Sequence, residues 1–326
     1  MKRQPFTVGR MLEQLQDTLQ LELIGDDAGL AREITSAEVS SPGLVLAGYT
    51  ARFPHDRVQV LGETEISYLT SLEASRRREV LEKFLSFPIP CLFVTKGQRL
   101  PPELTQIAGK VGIPILRSKL KTAEFYTRIK PIIAEEFAPL TTIHGSLADV
   151  FRVGLLFVGK SGMGKSECVL DLVERGHRLV ADDLVITTRR GNDILIGRGH
   201  DLARHHMEIR GVGLIDVQAI FGIRAVRQQK RIEVVVQLEE WDKSTNVDRT
   251  GLDGATTTIL GVEIPKVLIP LNPGKNITVV AEVVAMNHLL RYSGVNTAEA
   301  FNQRLMKRMQ ATEPAAIRQY LQEDDE

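Results

Sequence analysis

Eight consecutive residues, Gly159, Lys160, Ser161, Gly162, Met163, Gly164, Lys165 and Ser166, have the types and spacing to hold a polyphosphate. They match G-x-x-x-x-G-K-[ST], a loop whose backbone N–H groups wrap phosphate oxygens. The Lys of such a loop reaches the β/γ oxygens and the final hydroxyl binds Mg²⁺. Only small residues let backbone and phosphate approach so closely, which accounts for the glycines. An ordinary Gly-rich turn has the same composition, so the flanks must decide. Before the loop, the apolar run Val153 to Val158 predicts a buried strand. After it, Lys165 to Arg175 predicts a helix with Val169, Leu170, Leu172 and Val173 inward and Gly176 past its end. The free N-terminal amides of that helix would face the bound anion. That order favours the phosphate loop.

A second feature is Arg178-Leu179-Val180-Ala181-Asp182-Asp183, an apolar strand ending in paired carboxylates. Ligands of α/β folds gather at such strand ends. Side chains alternate along a strand, so one carboxylate is expected to face the phosphates. The other serves a metal through water or holds the backbone. A carboxylate beside Mg²⁺ and a γ-phosphate can take the proton of an incoming hydroxyl. The plainer alternative is a turn held by two Asp side chains. His144-Gly145 precedes the first strand of the same region; a lone His is more often packed than catalytic. His205-His206 lacks metal-ligand spacing and reads as structural. Glu208 differs, because a carboxylate together with Ser166 is a usual ligand set for a Mg²⁺ that keeps most of its waters. The stretch Glu208 to Val217 mixes glycines and charges as an active-site loop does. Arg249 lies in the polar stretch Asp242 to Asp253, from which a guanidinium can reach in to neutralise a transferring phosphoryl group.

The elements that must position these residues are legible in outline. In the first third, residues 7–20, Thr70 to Ser86, a segment opening at Pro101, and one ending near Glu136 predict helices. Ile89 to Val94 and Ile113 to Leu116 predict strands, and the alternation predicts a small parallel sheet. The boundary candidate is Phe137-Ala138-Pro139-Leu140. Beyond it, strands are expected at 153–158, 178–181, 184–188, 194–197, 214–217, 232–238, 257–260, 266–270 and 276–282, with helices near 283–293 and 298–310. The 326 residues suffice for two domains. A formal net charge of zero gives no global field toward nucleic acid or an anionic membrane. No apolar run approaches the roughly 18 residues of a membrane span, and Met1 to Pro5 leads into no secretory signal. The two cysteines, Cys91 and Cys168, form no metal or disulfide pattern and are expected in the core, as in a reduced, cytoplasmic protein.

The runs Gly159 to Glu167, Gly176 to Asp183, Glu208 to Val217 and Ala285-Met286-Asn287 closely resemble HPr kinase/phosphorylase, the bacterial enzyme that acts on a serine of the phosphocarrier protein HPr. The resemblance is specific over about residues 130–310 and collinear before them. It implies an α/β fold: a small N-terminal α/β domain (1–132) with an oligomerisation or partner role, and a C-terminal P-loop kinase domain (133–326) related to phosphoenolpyruvate carboxykinase. It implies ATP or pyrophosphate as phosphoryl donor, Mg²⁺, an HPr-like partner, a homohexamer, and reverse phosphorolysis yielding pyrophosphate, in carbon catabolite regulation. It makes Asp183 the base of the forward reaction and the acid of the reverse. It further implies that Lys165 holds the β/γ-phosphates, that Ser166 and Glu208 bind Mg²⁺, and that His144 and Arg249 complete the site.

Two positions depart from the family pattern. Its dephosphorylation loop commonly reads Pro-x-Arg-Pro-Gly-Arg, and here it is Pro270, Leu271, Asn272, Pro273, Gly274, Lys275. Asn272 removes a fork-shaped phosphate donor and Lys275 offers only a point charge, so a kinase-only version is one alternative. Lys160 stands where Glu is common. Two other classes are a nucleotide-binding switch, for which no N-K-x-D element is present, and a small-molecule kinase of the carboxykinase type.

Overall fold

The computed structural model describes residues 5–240, 254–271 and 276–309. The chain divides into two compact units, Met1–Ala138 and Pro139–Glu326. The division falls after the helix Thr122–Phe137, which runs unbroken through the expected 132/133 boundary.

The first unit holds strands β1 (Leu21–Ile24), β2 (Val39–Ser40), β3 (Val58–Leu61), β4 (Leu92–Val94) and β5 (Ile115–Ser118), and helices α1 (Val8–Leu19), α2 (Gly43–Leu46), α3 (Glu63–Ser71), α4 (Ala74–Leu85), α5 (Pro102–Val111) and α6 (Thr122–Phe137). Sheet order is β1-β5-β4-β3-β2, parallel from β2 to β5, with β1 antiparallel at the edge. The sequence reading misses β1 to β3. Each is four residues or fewer, and the fully buried Gln59 breaks the apolar run of β3. The helix expected over 70–86 is two helices, α3 and α4, because Leu72 is extended between them.

Among the described residues the second unit has two stacked sheets with helices on one outer face, and a separate two-stranded antiparallel sheet, His206–Ile209 with Gly213–Asp216. Its elements are β6 (Leu140–His144), β7 (Ser146–Val150), β8 (Val153–Val158), α7 (Lys165–Glu174), β9 (Arg178–Ala181), β10 (Leu184–Arg190), β11 (Ile194–Arg198), β12 (His206–Ile209), β13 (Gly213–Asp216), α8 (Val217–Phe221), β14 (Gln229–Arg231), β15 (Val234–Glu240), β16 (Thr256–Ile259), β17 (Val262–Leu271) and α9 (Ile277–Tyr292), followed by a helix over 297–309. The main sheet has the order β16-β17-β15-β8-β7-β9; a second has the order β14-β11-β10-β6. Strand alternation builds both cores at once. Leu155, Phe157, Val234 and Val236 face α7 and α9, whereas Leu156 and Val235 face the second sheet through Val185 and Leu195.

One expected strand, 276–282, is the first half of α9. Ile277-Thr278-Val279-Val280 has strand-like composition, but Asn276 accepts a hydrogen bond from the Val279 amide and starts a helix. Its small residues Ala281 and Ala285 pack on the main core, which overrides local β propensity. Thr278 Oγ1 also donates to Asp171 Oδ2 on α7 at 2.9 Å.

Candidate active site

Topology gathers the site at one edge of the main sheet. Strands β8, β15 and β17 are mutually parallel, so Val158, Glu240 and Leu271 end on the same side. Because β7 is antiparallel to both β8 and β9, Ala181 ends there too, and Ser146 begins there.

Residues 159–164 connect β8 to α7 as a loop rich in positive φ: Gly159 at 152°, Gly162 at 84° and Gly164, the residue capping α7, at 79°. A Cβ on Gly159 would lie 2.7 Å from the Leu238 carbonyl oxygen, so both backbone conformation and space demand glycine. Lys165 folds back over the loop, its Nζ donating to the carbonyls of Gly159 (3.0 Å) and Lys160 (2.9 Å). A cation held there sits above the amides that an anion would occupy.

The paired carboxylates separate into two environments. Asp182 is half-buried, and its Oδ1 accepts from Ser146 Oγ at 2.5 Å and Ser166 Oγ at 3.0 Å. Burial holds its carboxyl above the ordinary carboxylate range, against the pull of both serines and of the Asp183 and Glu208 amides. Asp183 is exposed. It sits at φ +62°, with the Leu184 amide bonded across it to the Asp182 carbonyl at 2.7 Å. That is a γ-turn with a positive φ, a rare and strained form. Its own carbonyl accepts from Gly145 N at 3.0 Å, and Leu184 pairs with His144 across β10 and β6. His144 is exposed beside it. A Cβ on Gly145 would lie 2.3 Å from the Phe157 carbonyl oxygen, so that junction admits only glycine without backbone movement.

Glu208 lies on β12 with its side chain exposed, its amide directed at Asp182. The structure therefore brings Lys165, Ser166, Asp182, Asp183, His144 and the backbone of Glu208 to one sheet edge. Arg249 and Asn272, Pro273, Gly274 and Lys275 lie outside the described residues; Pro270 and Leu271, at the end of β17, lie at that edge. Among the described residues no group of three or more His, Cys, Asp or Glu side chains forms a metal cluster. His205 and His206 are apart from the site's hydrogen bonds; His206 Nδ1 contacts the Arg204 carbonyl at 2.8 Å.

The C-terminal family model described as HPr Serine kinase C-terminal domain matches residues 135–305, and that described as HPr Serine kinase N terminus matches 6–133. The HPr kinase/phosphorylase of Chloroherpeton thalassium is 44% identical over 310 residues, covering 94% of this chain and 91% of its own. That of Bacillus cytotoxicus is 42% identical over 294 residues, 90% of this chain and 95% of its own. The chain belongs to the HPr kinase/phosphorylase family. A solved structure, the Hpr(Ser) kinase/phosphatase from Coxiella burnetii, is 34% identical over 49% of this chain and 98% of that one, with a TM-score of 0.44.

Within this family member the sequence reading left Asp182 as one of a pair and missed that it accepts from both Ser146 and Ser166. It also missed Ser146 and Arg210. Ser146 carries no motif of its own, and only the β7–β9 pairing brings it to Asp182. Arg210 is signalled weakly by the charged, Gly-rich stretch after Glu208. Its guanidinium lies so near the loop that a Cβ on Gly162 would meet Nη1 at 2.9 Å.

Proposed function

We propose that this protein transfers the γ-phosphoryl group of ATP, or a phosphoryl group of pyrophosphate, to a serine of an HPr-like phosphocarrier, and reverses the reaction with inorganic phosphate to give pyrophosphate. Family membership supports the activity. The observation that carries the residue roles is the joining of loop, Asp182 and Asp183 through Ser166 and the strained turn.

Ser166 and the Asp182 and Glu208 carboxylates are hard oxygen donors. They suit Mg²⁺, which takes one or two carboxylates and completes its shell with water and phosphate. A cation also fits a half-buried carboxylate whose charge is otherwise disfavoured by burial. When bound, Mg²⁺ neutralises charge on the β and γ oxygens. The loop amides and Lys165 hold those phosphates, and Arg249 adds charge at the transferring group. Asp183 accepts the hydrogen of the substrate serine hydroxyl as the serine oxygen bonds to phosphorus and the bond to the leaving diphosphate breaks. In reverse, a phosphate oxygen attacks phosphoserine, and Asp183 returns the proton to the departing serine oxygen. His144, across the strand pair from the turn, borders the same space. The transition state is loose, so positioning and charge supply most of the acceleration.

The N-terminal unit is assigned an oligomerisation or partner-docking role, the assembly a homohexamer, the location the cytoplasm and the C-terminal fold a carboxykinase-like P-loop kinase. Among the described residues no helix is long and apolar enough to cross a membrane.

The test is Asp183→Asn with HPr as substrate. Serine phosphorylation and pyrophosphate release from phospho-HPr are both lost, by about 10²-fold or more, while nucleotide affinity stays near wild type. Retained transfer in either direction would remove Asp183 from its role. Incubating wild-type protein with phospho-HPr and inorganic phosphate tests the reverse branch directly; absent pyrophosphate makes this a kinase alone.

A further inference from the structure

In the first unit, three strands are followed at once by polar and charged residues: Gly62-Glu63-Thr64 after β3, Thr95-Lys96-Gly97 after β4, and Lys121-Thr122-Ala123 shortly after β5. The strands are parallel neighbours, so these segments gather at the carboxyl ends of the sheet. From there the connections part. α3 and α5 pack in the buried cluster around Phe84, whereas α6 packs in the cluster around Phe93 and Phe125. Those clusters lie on opposite faces, because β4 sends Leu92 and Val94 to the first and Phe93 to the second. Such a reversal is where open parallel sheets lodge their ligands. A cavity of about 500 Å³ opens at this point, within the usual size range for small-ligand sites.

Its wall is built from groups held in place by the fold. Thr95 Oγ1 and Thr122 Oγ1 lie 2.7 Å apart, which ties the end of β4 to the start of α6. Lys96, at φ +60°, donates its amide to the Leu120 carbonyl at 2.8 Å, and its ammonium pairs with Glu63 at the start of α3. Glu65 is taken up by the frame, accepting from the Gly62 amide at 2.8 Å and from Ser41 Oγ at 2.6 Å. What remains unmatched faces the cavity. Lys121 makes no side-chain hydrogen bond or ion pair among the described residues, and the half-buried Tyr126 keeps its hydroxyl without a partner among them. α3 follows Gly62 and α6 follows Lys121, neither of which caps its helix with a side chain. The amides of Glu63, Thr64, Thr122 and Ala123 accordingly have no acceptor among the described residues.

We propose that this cavity is a ligand site of the N-terminal unit, for a small molecule with one oxyanion group on a hydroxylated body. The free ammonium of Lys121 selects a negative group, and the unused amides beside it add donors of the same sense. The Lys96 charge is already met by Glu63, so the surplus matches a single anionic group rather than a polyphosphate. The Tyr126 hydroxyl and the Glu63 carboxylate line the same cavity and suit hydroxyls on the rest of the ligand. Phosphate and carboxylate share this chemistry. The assignment goes beyond the phosphotransfer reading and stands without it.

Hydrogen exchange of the full chain, resolved by peptide with mass spectrometry, tests the proposal with ribose 5-phosphate, ribonate and neutral ribose. An anion present at about ten times its dissociation constant slows exchange at the starts of α3 and α6 by about tenfold, and neutral ribose does not. Lys121→Gln raises the concentration needed by at least about tenfold. Ala123→Asp sets a carboxylate in the first turn of α6, which suits the helix and repels the ligand. It abolishes the protection while the melting temperature stays the same or rises. Lys165→Ala leaves the protection intact, which separates this site from the phosphate loop. Protection by ribose 5-phosphate alone identifies a phosphate ligand, by ribonate alone a carboxylate, and by both a general oxyanion site. No protection at either helix start with millimolar anion would overturn the proposal. So would equal protection by neutral ribose, or protection that survives both substitutions.

Discussion

Holding φ at +62° costs a non-glycine residue about 1–3 kcal/mol, and Asp183 is held there by the Gly145 amide and by the bond that closes the turn across it. Strain of this kind persists where the surroundings over-determine it and where it aims a side chain. Asp183→Gly should therefore abolish transfer while raising thermal stability, by up to about 1 kcal/mol once the positive φ is relieved. Asp183→Ala should abolish transfer without that gain; equal melting temperatures for the two variants would count against strain. The two cysteines give a separate residue-scale test. Both are free and buried, and burial raises both thiols, Cys168 to about 12. Thiolate is the reactive form, so a thiol reagent at pH 8 should label neither in the folded protein and both in denaturant.

Elements are fixed by caps and close approaches more than by composition. α9 begins where Asn276 caps it, in spite of a β-branched start. Asn276→Ala should cost about 1 kcal/mol in urea unfolding, while Asn276→Asp should cost little, since either side chain accepts from the Val279 amide. Gly145 sits at the junction of β6 and β7, where a Cβ would strike the Phe157 carbonyl. Gly145→Val should push β7 off β8 and carry Ser146 away from Asp182. Loss of MgATP binding measured with a fluorescent analogue, beyond what any drop in stability explains, is the expected signature. The same elements show what was readable locally. The strand–loop–helix order around residues 159–164 was legible because strand, glycines and helix are contiguous. β2 was not, because two residues carry no period, and β3 was not, because the buried Gln59 interrupts its apolar run.

At the scale of the molecule, each unit has its own sheet or sheets and its own buried clusters. Residues 1–138 hold two such clusters, one around Phe84 and one around Phe93 and Phe125. Expressed separately, 1–138 and 139–326 should each unfold cooperatively, and only the second should bind nucleotide, with Lys165→Ala weakening it. Nucleotide binding by the first would redraw the division of labour.

By itself the sequence marked the residues on which the proposed chemistry rests: a glycine-rich loop of the phosphate-binding pattern, an acid pair one strand later, and a Glu on a Gly-rich stretch. These are local patterns, since a loop that must approach phosphate requires glycine wherever it occurs. It also carried enough of the family's runs for the resemblance to be stated before any coordinates. Tertiary structure alone separated the surroundings of the two acids. Asp182 and Asp183 are neighbours with the same side chain, and only β7 lying between β8 and β9 buries one against Ser146 and Ser166 and leaves the other exposed. Side-chain charge is written in the residues, whereas burial and proximity exist only once the sheet has formed.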